Sequence, residues 1–222
     1  MTPLILAVDT THARGSLALA RGADLIEQVA LESPSGFAHV IYAHLAALFG
    51  RHGISARDVD CFAAASGPGA FTGVRVCLAC VKGLAEAAGK PAAAVSNLSA
   101  IASFGTAPLR APILDARRGE IYAAVYDAAG RVVHAETVAP PARWLEALAD
   151  DVELISQDFA AFSGAIAASR FRDARRTNAP GALAAAIAKI AWQRWQAGEV
   201  SDPADLDANY VRRSDAELLW KG

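Results

Sequence analysis

Three things are scarce in this chain of 222 residues: cysteine, an excess of charge of either sign, and long apolar runs. Its cysteines, Cys61, Cys77 and Cys80, are too few for a disulfide framework, which favours a reducing, cytoplasmic environment. Lys and Arg number 21 against 23 Asp and Glu, so the net charge is −2. Because phosphate neutralisation dominates nucleic-acid affinity, this balance argues against strong RNA binding by the chain alone. No apolar run is long enough to span a bilayer, so we expect no membrane partner.

The apolar residues, 54% of the chain, fall into short segments with the spacing of strands or helices. Segments 4–8, 15–20 and 25–31 are joined by short polar or glycine-bearing connections, which is typical of consecutive antiparallel strands. A helical period follows at 37–49, and a further strand is predicted at 59–65. The pattern indicates antiparallel strands followed by alternating helices and parallel strands, with the helices on the sheet faces.

The same order restarts in the second half of the chain, where Asp115, like Asp9, ends a short apolar strand. This self-similarity predicts an α/β protein of two duplicated halves, each with a βββαβα-type mixed sheet. That is the pattern of the actin-like, sugar-kinase and heat-shock ATPase (ribonuclease H-like) fold. We expect the first half at 1–104, joined by the C-terminal segment 203–222, and the second half at 105–202.

Segment 66–75, with the sequence SGPGAFTGVR, follows a predicted strand and opens a predicted helix. Glycines allow close backbone approach to a ligand, and a helix N-terminus offers free N–H groups to an anion. The segment is not a P-loop or a dinucleotide fingerprint, because no Lys-Ser/Thr follows and Thr72 stands at the third glycine position. A degenerate phosphate loop and a purely structural turn both remain open. The candidate cofactor-binding residues are Asp9, Thr10, Thr11, Gly67, Gly69, Thr72 and Gly73.

The helix after this loop carries a stripe of small residues, Ala79, Gly83 and Ala87, spaced one helical turn apart. Glycine inside a helix costs about 1 kcal/mol relative to alanine, and such a stripe lets another element approach closely. It can pack on the chain's own sheet or on a partner, and both interpretations stay open. With the preceding helix, the candidate partner-binding residues are Val40, Ala47, Val76, Ala79, Cys80, Gly83 and Ala87.

No metal-binding set is expected from the spacing of the cysteines and histidines. Cys77 and Cys80 form a C-x-x-C inside a helix, with no second pair, and are interpreted as packing residues. His39 and His44 are five residues apart, whereas ligands on one helix face are four apart. The basic run 170–176 is interpreted as a solvated loop rather than an RNA contact.

Segments 5–11, 66–75, 81–85, 114–122 and 209–212 resemble, in this order, the TsaB family, also called YeaZ. The resemblance extends along essentially the whole chain. It implies a cytoplasmic bacterial subunit of the tRNA N6-threonylcarbamoyladenosine transferase complex, which modifies the adenosine beside the anticodon. In that complex the paralogue TsaD is the catalytic subunit, the resembling family is its dimerisation partner, and the ATPase TsaE joins them.

The comparison with TsaD-like chains separates the catalytic role from the scaffold role. Such chains carry a metal-binding His-x-Glu-Gly-His segment, where this chain has Asn97, Ser99 and Ile101 at the ligand positions. None of these side chains supplies the imidazole or carboxylate that the metal needs. In the second half, Arg117 and Arg118 stand where a phosphate loop would have glycine.

We therefore predict a non-catalytic scaffold that binds and activates a TsaD-like subunit and has no catalytic residue, metal or cofactor of its own. ATP or ADP would bind, if at all, at the partner interface. The resemblance implies a TsaE-like ATPase as a further partner and contact with tRNA only through the complex. For the isolated chain, a homodimer and a monomer both stay open. The alternatives are an active ATPase or kinase of the same fold, and a metallopeptidase-like protein.

Overall fold

The computed structural model describes residues 2–149 and 151–212 and divides the chain into two compact units. The first unit comprises Met1–Ala100 and Gly181–Asn209, and the second comprises Ile101–Pro180 and the residues from Tyr210 onward. Each unit contains one five-stranded mixed sheet. The two sheets have the same strand order and direction, as the sequence repeat predicts.

In the first unit the sheet order is β3-β2-β1-β4-β5. Strands β1 to β3 are antiparallel, whereas β4 and β5 run parallel to β1. The central strand β1 is buried along its whole length, because it lies between β2 and β4 in the middle of the sheet. The strands are β1 (Leu4–Asp9), β2 (Arg14–Arg21), β3 (Asp24–Glu32), β4 (Cys61–Gly67) and β5 (Ala92–Ser96).

Three helices follow these strands: α1 (Ile41–His52), α2 (Phe71–Ala88) and α3 (Asn97–Ala102). Helix α1 buries Ile41, Leu45 and Leu48, the predicted apolar stripe, and both α1 and α2 end at a left-handed glycine cap. Helix α1 begins later than predicted, because Phe37 to Val40 form a separate turn. Within the described residues, none of the helices is both long and apolar enough to cross a lipid bilayer.

The second unit repeats the arrangement, with the order β10-β9-β6-β7-β8. Its strands are β6 (Leu109–Arg117), β7 (Glu120–Asp127), β8 (Val132–Ala139), β9 (Val152–Ser156) and β10 (Arg176–Asn178). Helices α4 (Pro141–Glu146) and α5 (Ser163–Ala167) accompany them. Trp144, Leu154 and Phe171 belong to the buried cluster of this unit. The sequence does not predict strand β10, because Arg-Thr-Asn has no apolar alternation.

The last helix, α6 (Ala184–Ala197), belongs to the first unit rather than the second. Its first turn is fixed to β2 by a hydrogen bond from the Ala184 amide to the Ser16 hydroxyl (3.0 Å), and Arg194 donates to the Ala94 carbonyl of β5. The predicted division places residues 181–202 in the second half. The structure differs because α6 covers the first sheet with its buried alanine face. Of the predicted C-terminal segment, residues 213–222 lie outside the described residues.

Candidate functional site: the glycine loop and the helix-pair surface

Asp9, at the carboxyl end of β1, is fully buried. Its Oδ1 accepts hydrogen bonds from the Thr11 amide (2.9 Å) and the Thr11 hydroxyl (2.6 Å). Its Oδ2 is also buried and has no hydrogen-bond partner among the described residues. The carboxylate therefore organises the connection between β1 and β2 through a single oxygen.

The Thr11 hydroxyl is the centre of a buried network. It donates to Asp9, receives a bond from Asn97 Nδ2 (2.7 Å) and lies 2.8 Å from His12 Nδ1. Since a hydroxyl has one proton and this one goes to the carboxylate, His12 Nδ1 must be the donor. Burial lowers the pKa of His12, which outweighs the opposite effect of the Asp9 charge. The imidazole is therefore neutral at neutral pH, with its proton on Nδ1. Sequence reasoning missed His12, and only its position after Asp9-Thr10-Thr11 could have signalled it.

Asn97 joins three segments of the first unit. Its Oδ1 accepts from the Gly67 amide (3.0 Å) at the end of β4, while Nδ2 donates to Thr11. The side chain is fully buried at the start of α3, so both ends of its amide are used inside the chain. Asn97, which the resemblance aligns with a metal-binding histidine of TsaD-like chains, thus joins β4 to the β1–β2 connection by hydrogen bonds. Within the described residues, no group of three or more His, Cys, Asp or Glu side chains could hold a metal ion.

The glycine loop, residues 66–73, packs against the β1–β2 connection. A Cβ placed on Gly73 would clash with the carbonyl oxygen of Thr10, and one on Gly69 would lie 2.7 Å from that of Thr11. The Thr10 hydroxyl donates to the Gly73 carbonyl (2.7 Å), and the Ala70 amide donates to the Thr11 carbonyl (2.7 Å). The close approach that these glycines permit is thus used by the chain's own backbone.

The start of α2 follows from the same contact. Ala70, rather than a polar residue, is the N-cap, and it makes no side-chain capping bond. The backbone of the β1–β2 connection supplies an acceptor to Ala70 instead. Thr72, a candidate cofactor-binding residue, lies in the first helical turn and is exposed.

The helix-pair surface is defined by exposed residues of α1 and α2 with small or aromatic side chains: Tyr42, Ala43, Ala46, Ala47, Ala79, Gly83 and Ala87. A Cβ on Gly83 would meet no atom within 4 Å. The interpretation that the small stripe packs on the chain's own sheet is therefore wrong. Small side chains on both helices leave their backbones open to close approach by another element.

Three of the predicted partner-binding residues are less exposed to solvent than a docking surface requires. Val40 and Val76 are only partly exposed, and Cys80 is buried. Burial raises the pKa of Cys80 to about 11, although a hydrogen bond from Tyr42 opposes this effect. Cys80 is therefore a packing residue beneath the helix-pair surface. Cys77 is likewise buried and donates to the Val8 carbonyl (3.0 Å), as packing within the helix predicts.

In the second unit, Asp115 occupies the place that Asp9 has in the first. Its Oδ1 accepts from the Arg117 amide (2.7 Å), just as Asp9 accepts from the Thr11 amide. Asp115, however, is exposed, and no glycine loop follows it. Arg117 and Arg118 both adopt left-handed backbone angles, with φ of 64° and 57°.

Two duplicated mixed sheets, each with an aspartate at or near the carboxyl end of its first strand, define an α/β protein of the actin-like, ribonuclease H-like fold. The family model described as "TsaD: tRNA N6-adenosine threonylcarbamoyltransferase" matches residues 36–202. The chain belongs to this family, and within it to the TsaB (YeaZ) group.

Individual relatives agree with this assignment. The "tRNA threonylcarbamoyladenosine biosynthesis protein TsaB" of Bacillus subtilis (strain 168) is 31% identical over 151 residues, which span 65% of this chain and 65% of that relative's length. A Pseudomonas aeruginosa protein with similarity to peptidase YEAZ is 27% identical, with a TM-score of 0.79 over 95% of this chain and 100% of the other. YeaZ from P. aeruginosa is also 27% identical, with a TM-score of 0.77 over 94% and 99%.

Proposed function

We propose that this chain is a non-catalytic subunit of tRNA threonylcarbamoyladenosine biosynthesis that docks on a TsaD-like catalytic partner and activates it. The name of the B. subtilis relative and the description of the family model support this pathway. The observation that carries the docking role is the exposed small-residue stripe on α2, with open space around Gly83.

The helix-pair surface has the chemistry of a helix-docking site. Its residues are mainly alanine and glycine, so a partner helix can approach the backbone closely. Tyr42 is 59% exposed beside them, and aromatic residues in such a position are frequent anchors of protein interfaces.

The scaffold role is supported by how the first unit uses its polar residues. The side-chain amide of Asn97 hydrogen-bonds to Thr11 through its nitrogen and to Gly67 through its oxygen. Because Gly69 and Gly73 have no side chain, the backbone of Thr10 and Thr11 can pack directly against them. These residues hold the carboxyl ends of β1 and β4 together and fix the start of α2. The loop that would bind phosphate in an active ATPase thus positions α2, which disfavours the ATPase alternative.

The remaining partners follow from the same proposal. A TsaE-like ATPase joins the assembled pair, tRNA binds through the complex, and ATP or ADP binds at the partner interface. In isolation, the chain pairs with a second copy through the helix-pair surface, because the same small residues are then left uncovered.

A bulky substitution in the stripe tests the docking role. Gly83→Leu should weaken binding to the TsaD-like partner about 100-fold, because the leucine occupies the space of the partner helix. Compared at a concentration at which both chains are monomeric, the isolated variant should unfold at no lower temperature than the unsubstituted chain, since Gly83 faces open space and leucine favours a helix. Isothermal calorimetry and thermal unfolding provide the two readouts.

Gly164→Leu is the matched control. Gly164 also lies in a helix, is exposed and would have no atom within 4 Å of its Cβ, but it belongs to α5 of the second unit. This variant should bind the partner normally. Equal affinity of Gly83→Leu and the unsubstituted chain would show that the docking surface lies elsewhere.

A further inference from the structure

The turn between β6 and β7 is built from residues that its backbone disfavours. Ten described residues have left-handed φ angles, and eight of them are glycines. The other two are the neighbours Arg117 and Arg118, followed by Gly119 at φ 76°. The two-residue connection Arg118-Gly119 requires positive φ at both positions, where asparagine and glycine are the usual choices. Arg117, the last residue of β6, also has a positive φ, so two arginines in succession adopt a backbone conformation that is strained for them. Strain of this kind is concentrated at functional sites.

Neighbouring residues help to hold the turn. The Asp115 carboxylate accepts from the Arg117 amide, and Arg212 donates to the Ala116 carbonyl (2.8 Å) and to the Glu120 carboxylate. The Arg212 guanidinium also lies 5.6 Å from the centre of the Tyr122 ring. The Asp115 carboxylate and the Arg212 guanidinium therefore both stabilise the turn.

The Arg117 side chain does little for the fold. It is 87% exposed, and its guanidinium lies 3.3 Å from Asp115, an exposed pair of the kind that contributes little to stability. Arg118 is also exposed. A braced turn thus presents two neighbouring arginines where glycine would satisfy the backbone better.

We propose that Arg117 and Arg118 contact phosphates of the tRNA backbone in the assembled complex. A guanidinium group presents parallel N–H donors that match phosphate oxygens, and it keeps its charge at every physiological pH. The helix-pair surface belongs to the first unit, and this turn belongs to the second. Two phosphate contacts also agree with a net charge of −2, since they supplement the binding of a complex rather than create it alone. This inference rests on the proposed function.

The double variant Arg117→Gly/Arg118→Gly removes both charges and gives the backbone residues that suit its angles. We expect its thermal stability to be equal or higher, and its affinity for the TsaD-like partner to be unchanged. For the complex assembled with the TsaD-like and TsaE-like partners, the Kd for an unmodified tRNA transcript should rise about 10-fold or more. The slope of log K against log salt should become shallower by about 1 to 2, because up to two phosphates are no longer neutralised by arginine.

Arg131→Gly is the matched control, because Arg131 is 82% exposed, pairs with Asp127 and precedes β8 of the same sheet. It should leave tRNA affinity within about twofold. If the double variant binds tRNA with an unchanged Kd and salt slope, the phosphate assignment is wrong. If it loses affinity for the partner protein instead, the turn contacts carboxylates of that protein and the assignment to RNA is equally wrong.

The unsubstituted chain separates this inference from the proposed function. If it fails to bind the TsaD-like partner or to support threonylcarbamoyl transfer, the proposed function fails, and the inference fails with it. If both occur normally while the double variant binds tRNA like the unsubstituted chain, only the inference is overturned.

Discussion

The carbonyl oxygen of Thr10 occupies the space that a Cβ of residue 73 would need, so the contact between the β1–β2 connection and α2 requires glycine at that position. The Thr10 hydroxyl reinforces the contact by donating to the Gly73 carbonyl. The first turn of α2 is thereby fixed to the connection that follows the central strand β1. Thr10 and Gly73, which are candidate phosphate-loop residues in the sequence, thus form a packing contact inside the fold.

This relationship predicts opposite effects of the same substitution at two glycines of α2. Gly73→Ala should lower the free energy of unfolding by about 1–3 kcal/mol, because the added methyl group must displace the Thr10 backbone. Gly83→Ala should raise it by about 0.5–1 kcal/mol, because its Cβ meets open space and alanine favours the helix. Urea denaturation of both variants gives the comparison, and equal changes would contradict the packing described for Gly73.

Glu153 makes the second unit sensitive to acid. It is fully buried and accepts hydrogen bonds from the Thr106 and Ala107 amides (2.6 and 2.7 Å) and from the Thr177 hydroxyl (2.5 Å). Burial opposes its ionisation, but these bonds and the nearby Arg175 hold the pKa of Glu153 below its usual value.

A group with a lowered folded-state pKa stabilises the protein above its unfolded-state pKa, and this contribution is lost as the pH falls through the folded value. The unfolding temperature should therefore decrease below about pH 4.3, where an unfolded glutamate takes up its proton. Glu153→Gln should be less stable at pH 7 but depend less on pH in this range. Thermal unfolding at several pH values measures both slopes, and parallel curves would exclude Glu153 as a major source of the acid sensitivity.

Nucleotide should have little effect on the isolated chain. Because Thr10 and Thr11 fill the space beside Gly69 and Gly73, we expect Mg-ATP to leave the unfolding temperature unchanged and the purified chain to release no phosphate. We also expect no stoichiometric metal, since no group of three or more His, Cys, Asp or Glu side chains among the described residues could hold one. Thermal shift, phosphate-release and elemental analyses test these points. Hydrolysis that copurifies with the chain through several columns would support the ATPase alternative.

Local patterns in the sequence determined most of the secondary structure. Strand periodicity located β1 to β4 and the strand that contains Asp115, and both α1 and α2 end where a glycine, Gly53 or Gly89, adopts the left-handed cap. These features depend on neighbouring residues and on backbone angles that glycine adopts without strain. The duplicated strand order followed from them, because short connections leave few topologies available.

Tertiary contacts decided the rest. Helical periodicity groups Ala79, Gly83 and Ala87 on one face, but only the fold shows that this face is exposed. Gly69 and Gly73 indicate a close approach, and only the fold identifies Thr10 and Thr11 as the approaching residues. The sequence of α6 is that of a helix, but only the fold shows that this helix packs on the first sheet. In each case the partner is distant in the chain, and local spacing carries no information about which distant surface a face will meet.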